Sequence, residues 1–258
     1  MERWLQSKIQ QRITTVTAGL DELKTRTALQ VALFEVWNDL RWYIQRKGNT
    51  DSQALAETVK LWLRLLAPFA PFTCEELWSR AGEMGFISVA EWPRADAGRV
   101  DVVAEERENF IIDLIADTLN ILKATKIAPK RVCVYTAAAW KGRVYLKVLE
   151  RAVAGEVKIG EVMKEFAVDP DLRPHMKEVA SLVPRVIKAL TKLPTERKAN
   201  VLKIGVMDEK EIVEDAIGFL SERLSADVSV FGEDDAACYD PKGRAGMAVP
   251  GQPAIFIE

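Results

Sequence analysis

The apolar positions of the first eighty residues repeat at helical spacing. Leu5, Ile9, Ile13, Val16, Leu20 and Leu23 follow one another at steps of four, four, three, four and three, which predicts an amphipathic helix over 2–24. A second is expected over 27–45, with Leu29, Leu33, Val36, Leu40 and Ile44 on one side. Gly48-Asn49 marks a turn. Ser52 is placed to cap a third helix whose inner face is Leu55, Val59, Trp62 and Leu66, because its hydroxyl can accept from a free first-turn N–H. Pro68 ends that helix, since its ring cannot continue the backbone ladder. Thr73 and Glu76 have the spacing of a capping box, which opens a short fourth helix running through Trp78. Short connections favour antiparallel neighbours. The first part therefore reads as an up-and-down helical bundle.

Gly82, Gly85, Pro93 and Gly98 punctuate residues 82–101, which are expected to be irregular. The domain boundary is placed at residue 98, giving domains 1–98 and 99–258. A helix is expected over 103–126, with Ile111, Leu114, Ile115, Thr118 and Leu122 on one face. The pattern then changes. Residues 131–136 have the β-branched and aromatic content of a strand. Trp140, Val144 and Val148 suit a helix, although Gly142 weakens it. Further helices are expected over 159–166 and over 174–193, with Pro184 inside the second, and a strand over 201–206. Asp208 and Glu211 signal another helix start, with Ile212, Ala216, Phe219 and Leu220 inward. Strands over 227–231 and 254–257 complete the chain. The fold class is mainly α with a smaller α/β part: a helical bundle followed by a small mixed α/β domain.

Composition adds little until charge is divided along the chain. The 258 residues carry a net charge of −2 and are 48% hydrophobic, as in a globular protein. Residues 1–120 sum to −4, residues 121–200 to +9 and residues 201–258 to −7. A basic block between acidic segments points toward a polyanion. The most apolar stretch, 61–72, is interrupted by Arg64, Pro68 and Pro71 and is too short to span a bilayer. The opening Met1-Glu2-Arg3-Trp4 lacks the apolar run of a secretory signal. Cys74, Cys133 and Cys238 are odd in number and far apart, and His175 is the single histidine, which argues against a disulfide framework and a zinc site. A reducing cytoplasm is the expected setting.

Catalytic patterns are missing from the sequence. It has no phosphate loop, no dinucleotide fingerprint and no nucleophile elbow. His175 reads as an exposed helix residue. The acidic pairs Glu75-Glu76 and Asp234-Asp235 read as solvated surface groups. No residue is assigned a catalytic, cofactor-binding or metal-binding role. The basic block is the better lead. Lys123, Lys126, Lys130 and Arg131 flank a helix end, and Lys141, Arg143, Lys147 and Arg151 follow, the last three at helical spacing. Cations aligned in this way can neutralise successive phosphates and release counterions. An ordinary solvated face is the other reading of the same pattern. Trp140 and Tyr145 can stack on unpaired bases or pack in a core. Arg41, Arg46 and Lys47, beside Trp42 and Tyr43, can contact RNA or simply complement a helix C-terminus.

One segment carries a resemblance. Residues 65–78, Leu65-Leu66-Ala67-Pro68-Phe69-Ala70-Pro71-Phe72 through Glu75-Glu76-Leu77-Trp78, resemble the helix–proline–helix joint of the anticodon-binding bundle in leucyl, valyl, isoleucyl and methionyl aminoacyl-tRNA synthetases. Asn38-Asp39-Leu40-Arg41-Trp42-Tyr43, the run 121–130 and the closing stretch 239–258 are similar to the C-terminal region of the archaeal and eukaryotic leucyl enzyme, so the resemblance covers the whole chain. It implies a tRNA-binding part of a leucine–tRNA ligase. The HIGH and KMSKS motifs and the editing domain are missing from these residues, so the chain alone is expected to be inactive. ATP and magnesium are expected only with the complete enzyme. The implied partner is leucine tRNA with its long variable arm, joined by a separate catalytic subunit if the gene is split. By the same resemblance Ile257 and Glu258 are candidates to contact variable-arm bases. A stand-alone RNA-binding module, the equivalent region of a valyl or isoleucyl enzyme, and a scaffold for an acidic partner protein remain as alternatives.

Overall fold

The computed structural model describes residues 1–48, 51–155 and 157–258; Asn49 of the expected turn lies outside them. The chain forms two compact units, Met1–Glu105 and Glu106–Glu258.

The first unit is helical. It comprises α1 (Glu2–Asp21), α2 (Thr25–Gln30), α3 (Val36–Lys47), α4 (Gln53–Leu66) and α5 (Pro71–Arg80). A π-helical turn, Val31–Glu35, joins α2 to α3, so the expected second helix is one rod with a widened turn. Leu5, Ile9, Ile13 and Val16 of α1 are buried with Val36, Leu40, Leu63 and Trp78. Leu23 does not extend that face: α1 has ended, the residue turns to φ +56 and its side chain is 84% exposed. Ser52 caps α4 as expected, its Oγ accepting from the Leu55 N–H at 3.4 Å.

The capping box at Thr73 does not form. The helix begins earlier, at Pro71, which has no N–H to leave unsatisfied in a first turn. Glu76 pairs with Arg80 at 2.6 Å instead of reaching back. Glu75 accepts from the Ile87 N–H at 3.1 Å and anchors a 3-10 turn, Ile87–Val89. Between α5 and α6 the only regular structure among the described residues is that turn and a second, Ala97–Arg99. Side chains of α1 strap this stretch down. Gln10 accepts from the Asp96 N–H, and Ser7 from the Asp101 N–H, both at 2.8 Å. Trp92 donates to Thr17 at 2.9 Å.

The division between units falls inside α6 (Val102–Thr125). The second unit continues with β1 (Arg131–Thr136), α7 (Ala139–Ala154), α8 (Ile159–Val168), α9 (Met176–Lys192), α10 (Thr195–Ile204), α11 (Glu209–Glu214), α12 (Ile217–Leu224), β2 (Asp227–Gly232) and β3 (Ala254–Ile257). The sheet order is β2-β1-β3. β1 runs parallel to β2, with Val132 opposite Val228, and antiparallel to β3, with Val132 opposite Ile257. As the central strand it is buried from Val132 to Thr136, which explains its continuous apolar run. The core between α7, α8 and α9 gathers Val144, Val148, Leu149, Phe166, Val183 and Val186.

Two expectations are corrected here. Residues 201–206 are not a strand: α10 runs to Ile204, and Val201 and Leu202 pack on the α7–α9 core, so tertiary burial overrides β-propensity. The helix opened by Asp208 breaks at Asp215-Ala216 into α11 and α12, although the cap forms, with Asp208 accepting from the Glu211 N–H at 3.0 Å. Gly142 inside α7 has a packing reason. A Cβ there would lie 3.0 Å from Cγ2 of Val206. Among the described residues no helix is long and apolar enough to cross a membrane.

Candidate nucleic-acid interface

The ten residues singled out from sequence do not come together in one place. Lys123 lies in the last turn of α6 and Lys126 just beyond it, with φ +56. Both are exposed, as is Lys130, and none of the three is ion-paired among the described residues. Arg131 and Glu258 face each other across the end of β1 and β3. Their side chains pair at 3.2 Å, and the Glu258 carbonyl accepts from the N–H groups of Lys130 and Arg131. Tyr239 donates to the Glu258 carboxylate at 3.2 Å, with the Arg131 guanidinium 5.5 Å from its ring centre. Ile257 is half-buried in register with Val132. The tail pair thus closes the sheet, leaving the Glu258 side chain partly exposed.

Arg143, Lys147 and Arg151 do form an outward stripe on α7, but carboxylates already answer it. Arg143 pairs with Asp171, Arg151 with Glu165, and Lys147 with Glu165 at 3.5 Å and Glu150 at 3.4 Å. Lys141 is turned inward. It is 3% exposed, and its ammonium donates to Glu233 at 2.7 Å and to the carbonyls of Gly246 and Ala248 at 2.9 and 3.0 Å. It has no face left for a phosphate. Trp140 stacks on His175, ring centres 4.6 Å apart and planes 2° from parallel, so His175 is half-buried and not the exposed residue expected. Tyr145 is core, 4% exposed.

A cationic site appears where sequence reading did not look. A groove of about 630 Å³ in the second unit is lined by Arg185, Lys188 and Lys192 of α9, by Arg244, and by Asn120 and Asp117 of α6. The three α9 cations are spaced three and four residues apart and so share one side of the helix. Arg185 donates to the Met247 carbonyl, which fixes the loop carrying Arg244 against α9. Among the described residues none of the four cations is ion-paired. Asp117 is the one carboxylate in the lining. Burial, then the neighbouring Asp113, pushes its carboxyl upward against the opposing pull of Lys192. The groove therefore presents concentrated positive charge in a concave wall, the arrangement that attracts a phosphate backbone. The spacing of Arg185, Lys188 and Lys192 was visible in the basic block. Arg244 was not, because it lies in the acidic last segment.

Residues 2–134 match the model of a family described as the anticodon-binding domain of tRNA ligase. The chain belongs to that family. Its similarity to curated proteins continues past the matched residues to the whole chain. It is 36% identical over 260 residues to the leucine–tRNA ligase of Methanococcoides burtonii, covering 100% of this chain and 26% of that protein. It is likewise 36% identical over 258 residues to the leucine–tRNA ligase of Methanothrix thermoacetophila, and 36% over 263 residues to that of Pyrococcus abyssi, covering all of this chain and 26% and 25% of theirs. The chain spans about a quarter of the length of these relatives. The anticodon-binding family accounts for the helical first unit. The leucine–tRNA ligase likeness accounts for the α/β second unit as well.

Proposed function

We propose that the chain is the tRNA-binding part of a leucine–tRNA ligase and serves leucyl-tRNA formation in the cytoplasm. The observation that carries this reading is the full-length similarity to leucine–tRNA ligases, with the cationic groove of α9 and Arg244 supplying a surface of the right charge. In this reading the groove and the exposed Lys123, Lys126 and Lys130 hold the phosphate backbone, which positions the RNA without reading its sequence. Base reading falls to neutral and acidic groups beside them, with Ile257 and Glu258 as candidates. The preferred tRNA is leucine tRNA, recognised through its long variable arm. ATP, magnesium and the ligation step belong to the catalytic portion of the complete enzyme, whether on the same chain or on a separate subunit.

Filter binding with two RNAs tests it. Leucine tRNA is expected to bind more tightly than a tRNA with a short variable loop, and affinity is expected to fall steeply with salt. Equal affinity for both removes the variable-arm claim. Absence of binding to either at low salt removes the RNA reading altogether. Aminoacylation is expected only when the catalytic portion is supplied.

A further inference from the structure

Between the loop of Arg244 and β3 the chain makes a tight turn, Val249-Pro250-Gly251-Gln252. Val249 and Gln252 close it by exchanging N–H to carbonyl bonds at 3.1 and 2.8 Å, and Gly251 adopts φ +79, where a side chain would be strained. Val249 and Gln252, with Pro253 after them, line the cationic groove of about 630 Å³. Pro250, Gly251 and again Gln252 line a second cavity of about 270 Å³, so the turn is a wall common to both.

One side chain of α11 ties this turn down. Glu209 is 9% exposed, and one carboxylate oxygen accepts from the Gly251 N–H at 2.5 Å. Its other oxygen, Oε2, is buried with no hydrogen-bond partner among the described residues. A neutral carboxyl tolerates that place. An ionised one, taken out of water and given a single donor, does not, because burying an uncompensated charge is far more unfavourable than burying a neutral group. The charged and titratable groups around the cavity are Glu106, Asp113 and Asp117 of α6, Tyr145 of α7, Lys192 of α9 and Arg197 of α10. None is ion-paired with Glu209 among the described residues. Arg197 is committed to Glu106 at 3.1 Å and Asp113 at 2.9 Å, and burial pushes the Tyr145 phenol up to about 12, which keeps it neutral. On α11 itself Lys210 pairs with Asp235 at 2.9 Å, and β2, packed against α11, brings only Asp227. Burial therefore raises the Glu209 carboxyl from 4.5 to about 7, with the Gly251 N–H opposing and Asp208 adding to the rise.

We propose that Glu209 is a proton-operated latch on the turn that walls the cationic groove. With its carboxyl neutral, the turn stays shut against α11. When the proton passes to solvent, the carboxylate gains by meeting water, and water reaches it as the turn lifts away. The groove then loses Val249 and Gln252 from its wall and holds RNA less well. This inference rests on the RNA-binding reading of the groove. Linkage gives the sign and the size. A carboxyl that titrates at about 7 in the shut turn and at its ordinary 4.5 in the open one leaves the shut state about tenfold less favoured at pH 8 than at pH 6.

The test is amide hydrogen exchange of the turn in the free protein, with leucine tRNA binding measured alongside at fixed salt, at pH 6, 7 and 8. After correction for intrinsic exchange, protection of the Gly251 and Gln252 amides is expected to fall about tenfold from pH 6 to pH 8. Affinity for the tRNA should fall over the same interval by at least about twofold, as the competent fraction shrinks. Glu209→Gln keeps an oxygen for the Gly251 N–H and cannot ionise, so both quantities should stay level in it. That variant retains His175 and the terminal amine, which also titrate in this range. A fall that persists in Glu209→Gln belongs to another group and overturns the latch. Constant protection in the parent, a result that needs no variant, overturns it as well. Protection that falls while tRNA affinity stays constant shows a turn that does not operate the groove, and the proposal goes. If leucine tRNA binds at no pH, the RNA reading fails, while exchange at the turn still decides whether the latch exists.

Discussion

The ammonium of Lys141 lies 2.7 Å from the carboxylate of Glu233, with 4% and 18% of the two side chains exposed. The pair joins the first turn of α7 to the segment between β2 and β3, and Glu233 also accepts from the Ala138 N–H at 3.1 Å. Removing one partner of a buried pair leaves the other charge uncompensated and costs about 3–5 kcal/mol. Partial exposure of Glu233 places Lys141→Met toward the lower end. Urea denaturation should show that loss, while the folded variant retains its tRNA affinity. Weakened RNA binding at unchanged stability would instead put this side chain on the RNA.

Ser52 makes three bonds at the start of α4, one of them donated by its hydroxyl to the Glu2 carboxylate at 3.4 Å. Its hydroxyl accepts from the Leu55 N–H, and it receives the hydroxyl of the buried Tyr43 at 2.8 Å. Loss of an N-cap costs about 1 kcal/mol, and an unsatisfied buried hydroxyl adds on the order of 1 kcal/mol. Ser52→Ala is therefore expected to destabilise by roughly 2 kcal/mol. In a double-mutant cycle with Tyr43→Phe the second part should vanish; strict additivity would show that the Tyr43 bond contributes nothing.

Which features were legible follows from what fixes them. Periodicity located the helices of the first unit because each buries a single stripe, and the Ser52 and Asp208 caps were readable from one residue each. The resemblance in residues 65–78 identified the family that the matched residues 2–134 show. Local signals failed where distant chain intervened. Thr73 was displaced as a cap by Pro71 earlier in the chain, and Val201 was drawn into a helix by the core it covers. The charged residues were the least legible. Lysine spacing says which cations share a helix face, but not which carboxylates meet them. Asp171 and Glu165 answer the α7 stripe from elsewhere in the chain, and Arg244 joins α9 only through the fold.

The difference between paired and unpaired cations gives a contrast in RNA binding. Lys188→Glu combined with Arg244→Glu should reduce affinity at moderate salt by at least about tenfold. It should also flatten the slope of log K against log salt by about 0.7–0.9 per lost phosphate contact. Lys126→Glu with Lys130→Glu is expected to weaken binding in the same direction. Arg143→Gln with Arg151→Gln should change both quantities less, because Asp171 and Glu165 already compensate those charges. Equal effects from the α7 and α9 pairs would show that the RNA surface is not centred on the groove.

Glu209 links stability to pH. Burial raises its carboxyl from 4.5 to about 7, with Asp208 adding to the rise and the Gly251 N–H opposing it. A carboxyl whose folded pKa is raised binds its proton more tightly in the folded state than in the unfolded one. Its contribution is fully favourable below pH 4.5 and is lost as pH rises through about 7, where the folded protein must hold a buried anion. At pH 8 the penalty is at most on the order of 3 kcal/mol, because each tenfold change in proton affinity is worth about 1.4 kcal/mol. Glu209→Gln keeps the acceptor for Gly251 and removes the ionisation. The variant should therefore gain stability relative to the parent at pH 8, and that gain should shrink steadily toward pH 5. Urea midpoints measured at both pH values check the sign. A gain independent of pH would mean that packing, not the charge of Glu209, separates the two proteins.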